Sequence, residues 1–169
     1  MDVAHLLADG FGRIVPTARR LLDGLPTPLL TWRADPEANT IAWLLWHAGR
    51  GQDAQLAPLA GIEQVWLRDG WARRFDLPFA DDASGYGQSS DEVAAVDVPA
   101  DLLLGYLEAA TQATTTFVAG LGPGDLDRVV DENWDPPVTL GARLVSILAD
   151  DLQHLGQAAY VRGLAERVR

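Results

Sequence analysis

An acid and a histidine stand one helical turn apart near the end of the chain. Asp150 and His154 interrupt a segment, residues 144–157, that is otherwise rich in apolar side chains. Residues four positions apart lie on one face of a helix, so both side chains can reach the same point. A carboxylate in apolar surroundings costs several kcal/mol unless a cation offsets its charge. The pair therefore points to a divalent metal site, and the alternative is a plain hydrogen bond between the two side chains at a wet helix edge.

The neighbouring acid, Asp151, is the other candidate for a carboxylate ligand. It lies three residues before His154 instead of four, and about 100° of helical rotation separates it from Asp150. On helical geometry Asp151 is the more solvent-facing of the two aspartates. We therefore expect Asp150 to be the ligand and Asp151 to be exposed.

The chain holds three histidines, and one of them offers a partner for this pair. His47 ends the apolar run 43–47 in a second predicted helix. A single histidine on an apolar helix is more often a core residue than a ligand, but metal sites in bundles are built from imidazoles and carboxylates on facing helices. His5, near the start of the chain, is the weakest candidate. The expected metal ligands are His47, Asp150 and His154, and the sequence assigns no catalytic residue.

The composition limits the kind of protein this can be. A chain of 169 residues, 48% of them hydrophobic, is enough for one core, so we expect a single domain over residues 1–169. Because cysteine is absent, nitrogen and oxygen must hold any metal. The net charge of −11 argues against nucleic acid and anionic membranes as partners. Neither a signal peptide nor a membrane span is evident, which predicts a cytoplasmic protein.

Hydrophobic periodicity predicts four long helices and no strands. The predicted helices run from Asp2 to about Gly24 with a bend or a new start at Pro16, from Asn39 or Thr40 to about Leu56, from Pro99 to about Leu121, and from Thr139 nearly to Arg167. Short helical pieces are expected over 62–75, and irregular connections over 76–98 and 131–137. The expected fold is an all-α four-helix bundle with long irregular connections between helices 2 and 3 and before helix 4.

The tryptophans divide into two groups by their surroundings. Trp43 and Trp46 lie in the second predicted helix and are expected to pack in the core. Trp66, Trp71 and Trp134 lie in less regular stretches. Long irregular stretches in a compact domain usually carry function or cover a pocket, so these three are candidates for the walls of one.

Three short motifs, in order along nearly the whole chain, resemble the DinB-like superfamily. They are residues 44–47 (Leu-Leu-Trp-His), residues 97–103 (Asp-Val-Pro-Ala-Asp-Leu-Leu) and residues 150–157, which begin with Asp150 and contain His154-Leu-Gly-Gln. The nearest branch is the one that contains mycothiol-dependent maleylpyruvate isomerase and related thiol-dependent transferases. The resemblance implies a four-helix bundle in which zinc or nickel is bound by His47, Asp150 and His154. The isomerase branch normally has Glu where this chain has Asp150.

The resemblance also implies the function. We expect a metal-dependent transferase or isomerase that joins a low-molecular-weight thiol to an electrophile of unknown identity. All thirteen basic residues are arginine, which is typical of GC-rich genomes such as those of actinobacteria, so mycothiol is the expected thiol. A metal-dependent hydrolase and a non-catalytic protein that binds metal or a small ligand are the alternatives. A homodimer is a further expectation.

Overall fold

The fold, seen in a computed structural model that describes residues 2–168, is helical with one small sheet. The helices in that range are α1 (Val3–Gly12), α2 (Ile14–Leu22), α3 (Ile41–Ala60), α4 (Val65–Arg68), α5 (Trp71–Phe75), α6 (Ser90–Ala95), α7 (Ala100–Ala119) and α8 (Leu140–Arg167). The strands are β1 (Val129–Asp131) and β2 (Val138–Thr139), and 3-10 turns lie at Thr27–Leu29 and Pro123–Asp127. The two end residues of the predicted domain, Met1 and Arg169, lie outside the described range.

The long helices pack as a bundle. α3 packs against both α7 and α8, and α1 and α2 pack against the same two helices. A buried apolar cluster fills the space between them. The predicted all-α four-helix bundle is therefore confirmed, with α1 and α2 together as its first member. No helix within residues 2–168 is long and apolar enough to cross a membrane.

Hydroxyl caps fix the starts of the two helices that carry the predicted ligands. Thr40 begins α3, and its hydroxyl accepts a hydrogen bond from the backbone N–H of Trp43 (3.0 Å). Thr139 begins α8 and accepts from the N–H of Ala142 (3.3 Å). Both caps agree with the sequence prediction. α3 ends later than predicted, at Ala60, and the next residue, Gly61, takes the left-handed conformation (φ 66°) that favours glycine after a helix.

The first predicted helix is split where α1 and α2 meet at Arg13. Proline has no N–H to donate to the carbonyl four residues back, so Pro16 cannot continue the hydrogen-bond ladder of α1. A new helix that begins at Ile14 places Pro16 in its first turn, where backbone N–H groups have no partner inside the helix. The expected bend or new start is thus present, a few residues before the proline.

One helix and two strands are missing from the sequence prediction. Residues 76–98 contain α6, which begins with a capping box in which Ser89 and Glu92 each accept a hydrogen bond from the other's backbone N–H. β1 and β2 form an antiparallel pair with Val129 opposite Thr139. The prediction of no strands is wrong, because strands of two or three residues are too short to show an alternating pattern.

Most of the tryptophans lie in the core. The buried ones are Trp43, Trp46, Trp66 and Trp71, each less than 9% exposed. Trp66 and Trp71 pack around Tyr106, with ring centroids 4.9 and 5.8 Å from the phenol ring. They are therefore core residues instead of the expected pocket walls. Trp134, in the connection between β1 and β2, is 66% exposed.

Candidate metal centre

α3 and α8 bring the three predicted ligands together. His47, Asp150 and His154 each offer one ligand atom, and these atoms all lie within 4.8 Å of one another. The two imidazole rings are 4.7 Å apart between centroids and stand at 75° to each other. His5 is not part of the cluster and instead pairs with Asp2 at the start of α1 (2.7 Å).

The surroundings of His47 fix which of its ring nitrogens can bind a metal. Its Nδ1 lies 2.5 Å from the carbonyl oxygen of Ser84. A carbonyl only accepts, so Nδ1 carries the proton and Nε2 keeps its lone pair. Burial is the main reason why the pKa of His47 lies below its ordinary value. His47 is thus held as a neutral imidazole, which is the ligand form.

An indole ring supports His47 from one side. Trp43, four residues earlier on α3, stacks on the imidazole with centroids 4.7 Å apart and planes 9° from parallel. The Trp43 ring is itself held, because its Nε1 donates to Oε1 of Gln88 (2.7 Å). The imidazole plane is therefore set by a rigid neighbour on α3 and by a carbonyl from the loop 76–89, which connects α5 to α6. Ring orientation of this kind decides how well a histidine binds a metal.

His154 and Asp150 form a coupled pair on α8. Nε2 of His154 lies 3.4 Å from Oδ1 of Asp150, and Nδ1 lies 2.9 Å from Oε1 of Gln157. The hydrogen bond with Asp150 is the main cause that raises the pKa of His154, and the same bond is the main cause that lowers the pKa of Asp150. Without a metal, a shared proton therefore stabilises the pair. A divalent cation has to replace that proton.

The cluster could hold a divalent metal ion. Two imidazoles and one carboxylate are the kind of donor set that catalytic zinc sites use, with a further position left open. Two ligands about 2.0–2.1 Å from a tetrahedral zinc are about 3.3 Å apart, close to the 3.4 Å between His154 and Asp150. The Asp150 side chain is 42% exposed, so one side of the cluster faces a solvent-filled space.

That space is a cavity of about 540 Å³ beside the cluster. His47 and Gly51 of α3 and Ser146 and Asp150 of α8 contribute to its walls. Tyr86, which is 95% exposed, lies at its edge. The arrangement can therefore hold a cation on the protein side and admit a small molecule from the other.

The loop over the cluster requires a glycine at its closest approach. Gly85 has φ of 99°, a conformation that side chains rarely adopt. A Cβ atom at this position would lie 2.6 Å from Nδ1 of His47 and 3.1 Å from the rings of Trp43 and Trp46. The loop can reach His47 with the Ser84 carbonyl only because Gly85 has no side chain.

A buried arginine on α3 donates hydrogen bonds to the same loop. Arg50, one turn after His47 on α3, is fully buried. Its Nε donates to the carbonyl of Ala83 (2.9 Å), and its Nη2 donates to that of Asp81 (3.4 Å). Nη1 donates to Oε1 of Gln64 (2.9 Å). Arg50 thereby fixes the residues that immediately precede Ser84.

The sequence analysis missed these loop contacts. It did not single out Arg50, Ser84 or Gly85. Arg50 did carry a signal, since a charged residue between two glycines in an apolar helix needs buried partners. Ser84 and Gly85 carried none, because the former acts through its backbone carbonyl.

The prediction that Asp151 faces solvent is wrong. Asp151 is fully buried, and neither of its carboxylate oxygens has a hydrogen-bond partner among the described residues. Burial raises its pKa well above the ordinary value. The reason is helical phase, because Asp151 lies four residues after Ile147 and four before Leu155 and so continues their buried row.

The fold and the cluster together define a helix-bundle protein with a candidate centre of two histidines and one aspartate. Over residues 7–166 the chain matches the family model described as mycothiol-S-transferase. The chain belongs to this family, in agreement with its resemblance to DinB-like thiol-dependent transferases. A solved structure described as a conserved protein from Enterococcus faecalis is 31% identical and covers 96% of both chains, with a TM-score of 0.89. No curated protein gave a significant match.

Proposed function

We propose that the protein is a metal-dependent enzyme that transfers or isomerises an electrophilic substrate with the help of a low-molecular-weight thiol such as mycothiol. The observation that carries this proposal is the convergence of His47, Asp150 and His154 beside a cavity in a chain of the mycothiol-S-transferase family. Zinc and nickel are the expected ions. A cytoplasmic location, a single domain and a homodimer remain predictions.

Each of the three side chains has a defined role in this proposal. Nε2 of His47, Nε2 of His154 and a carboxylate oxygen of Asp150 hold the cation. A divalent cation stabilises the thiolate form of a thiol, whose free pKa is about 8.5, at neutral pH. The carboxylate would offset one positive charge of the cation.

Neighbouring groups prepare the site for the thiol. The carbonyl of Ser84 and the side chain of Gln157 orient the two imidazoles. The cavity between α3 and α8 receives the thiol and the electrophile next to the open side of the cluster. The thiol proton would leave to solvent, and the sulfur would use the freed electron pair to bond to the electrophilic carbon. The electron pair displaced from that carbon would depart with a leaving group or, in an addition, take up a proton from solvent.

Metal content and thiol binding test this proposal. The purified protein, loaded with Co²⁺ as a spectroscopic substitute, is expected to bind about one cation per chain and to develop a sulfur-to-cobalt absorption band on titration with mycothiol. His154→Ala should abolish cation binding and keep most of the helicity, because the site lies on an independently packed bundle. His5→Ala is the matched control and should bind the cation normally.

Three results would contradict it. Equal cobalt content in wild type and His154→Ala would remove the assigned site. Cobalt binding without any response to mycothiol would favour a non-catalytic metal-binding protein. Turnover of esters or amides in the absence of thiol would favour the hydrolase.

A further inference from the structure

A second cavity adjoins the one beside the metal cluster. Gln55 and Arg143 line both the 540 Å³ cavity and a neighbouring cavity of about 350 Å³. The second cavity adds Arg128 and Asp131 to its lining. We call the part lined by Gln55, Arg128 and Arg143 the distal pocket. We call these two adjoining cavities, which share Gln55 and Arg143 as walls, the groove; the metal cluster borders the first cavity and Arg128 borders the second.

Helical geometry sets the spacing of Arg143 and Asp150 along α8. Arg143 lies seven residues before Asp150 on α8, so the two side chains leave the same face of the helix about 10 Å apart along its axis. Both line the first cavity. A ligand that touches the cluster and the distal pocket at once must therefore be an extended molecule.

Arg143 is held in place but retains free donors. Its Nη1 donates to Oε1 of Gln55 (3.2 Å), and its Nη2 donates to Oδ2 of Asp131 (2.8 Å). A guanidinium has five N–H groups, and within residues 2–168 only two of those of Arg143 are used this way. Asp131 also accepts two hydrogen bonds from Asn133 at its other oxygen. A preorganised arginine with free N–H groups is suited to a planar anion.

The charge balance of the distal pocket is positive in an acidic protein. Two arginines face one aspartate there, although the chain as a whole carries a net charge of −11. Arg128 donates to the carbonyl of Leu59 (3.4 Å), an uncharged acceptor, and forms no salt bridge among the described residues. The pocket therefore keeps an excess positive charge that an anion can neutralise.

We propose that the distal pocket binds a carboxylate of the electrophilic substrate, about 10 Å along α8 from the metal cluster at which the sulfur binds. The inference rests on the proposed function, because it takes the metal end of the groove as the place where the sulfur binds. Arg143 supplies the main contact and Arg128 adds charge. The pocket thereby selects extended, anionic molecules over short or neutral ones.

Two thiols of equal length test the proposal on the cobalt-loaded protein. 8-Mercaptooctanoate carries its carboxylate about 10 Å from the sulfur when extended, and 8-mercaptooctan-1-ol carries a neutral hydroxyl instead. The sulfur-to-cobalt absorption band reports binding of either one. We expect the acid to bind about tenfold more tightly than the alcohol, as one charge-assisted contact allows.

Variants locate the cause of that preference. Arg143→Met should reduce the acid-to-alcohol ratio to near one, and Arg128→Met should reduce it in part. Arg167→Met, on the exposed end of α8, is the matched control and should leave the ratio unchanged. If Arg143→Met does not fold, the wild-type ratio and the Arg128 variant still decide.

The outcomes separate this inference from the proposed function. Equal binding of acid and alcohol to the wild type would overturn the distal pocket and leave the metal-bound thiol intact. A preference for the acid that survives in both arginine variants would overturn it as well. A cobalt spectrum that responds to neither of these thiols would overturn this inference, and the mycothiol titration decides separately on the proposed function.

Discussion

Replacement of Asp151 by leucine should make the protein more stable. The carboxyl group is fully buried in the apolar row of α8, and its oxygens have no hydrogen-bond partner in the described part of the chain. Leucine has the same branching as aspartate, so two methyl groups take the places of the two oxygens. The change continues the row formed by Ile147 and Leu155 and removes an unpaired polar group.

The magnitude follows from the cost of that unpaired group. A buried polar group without a partner costs about 1–3 kcal/mol, and replacement of buried charged groups by apolar ones can gain about 1–4 kcal/mol. We expect Asp151→Leu to raise the free energy of unfolding by about 1–3 kcal/mol. For a chain of this length that corresponds to a rise in Tm of about 2–12 °C. Asp151→Asn keeps two polar atoms and should gain less.

The gain should depend on pH in a defined direction. Burial raises the folded-state pKa of Asp151 above its unfolded value, so below about pH 4 both states are protonated and the carboxyl contributes no pH-dependent cost. As pH rises above that value, the unfolded state ionises and the wild type loses stability. The advantage of Asp151→Leu should therefore be larger at pH 7 than at pH 4.

Urea unfolding of metal-free wild type and variants at both pH values measures these differences. The m-value should stay constant, so that a shift in midpoint reports stability alone. Asp151→Asn should also keep its metal content after dialysis against a weak chelator, whereas Asp150→Asn should lose it. A less stable Asp151→Leu variant, or metal loss in the Asp151 variants only, would refute the assignment of the two aspartates.

The remaining predictions concern the metal cluster. Gly85→Ala should lower metal affinity about 10–100-fold, because the loop must lift its carbonyl from His47, and metal titration measures this. Gly87→Ala shares the strained backbone (φ 73°) but meets no neighbouring atom, so it should cost stability without a loss of affinity. As the pH is lowered, metal affinity should begin to fall at a pH above the ordinary imidazole pKa of about 6.5, because Asp150 raises the pKa of His154 and protons therefore compete with the metal earlier. A flat affinity between pH 5 and 8 would argue against histidine ligands.

Local sequence was sufficient to predict the helices and the pairing of Asp150 with His154 on α8. The caps at Thr40 and Thr139 depend on a side chain and a backbone N–H three residues away, so they are legible in a short window. The meeting of Asp150 and His154 depends only on helical spacing. His47 could be predicted as the third ligand because an imidazole within an apolar segment is itself unusual.

The burial of Asp151 could not be predicted, because the sequence pattern does not fix the helical phase closely enough. Residues three and four positions after Ile147 both lie near the buried face, so either aspartate could continue the apolar row. The preference of charged groups for solvent does not decide between them, because one of the two must be buried in any case. Only the packing of α3 against α8 settles which one points into the cavity.

The contacts of the loop over His47 could not be predicted from the sequence for a different reason. Arg50 recognises the backbone carbonyls of Asp81 and Ala83, and His47 recognises that of Ser84. Carbonyl groups are the same at every position, so no residue type marks the segment that will be held. Gly85 is the exception in principle, since its conformation and its contact with the imidazole both require glycine. A second glycine two residues later, Gly87, looks the same in the sequence, although a Cβ atom added there would meet no neighbouring atom. The difference between the two glycines exists only once the loop has packed on α3.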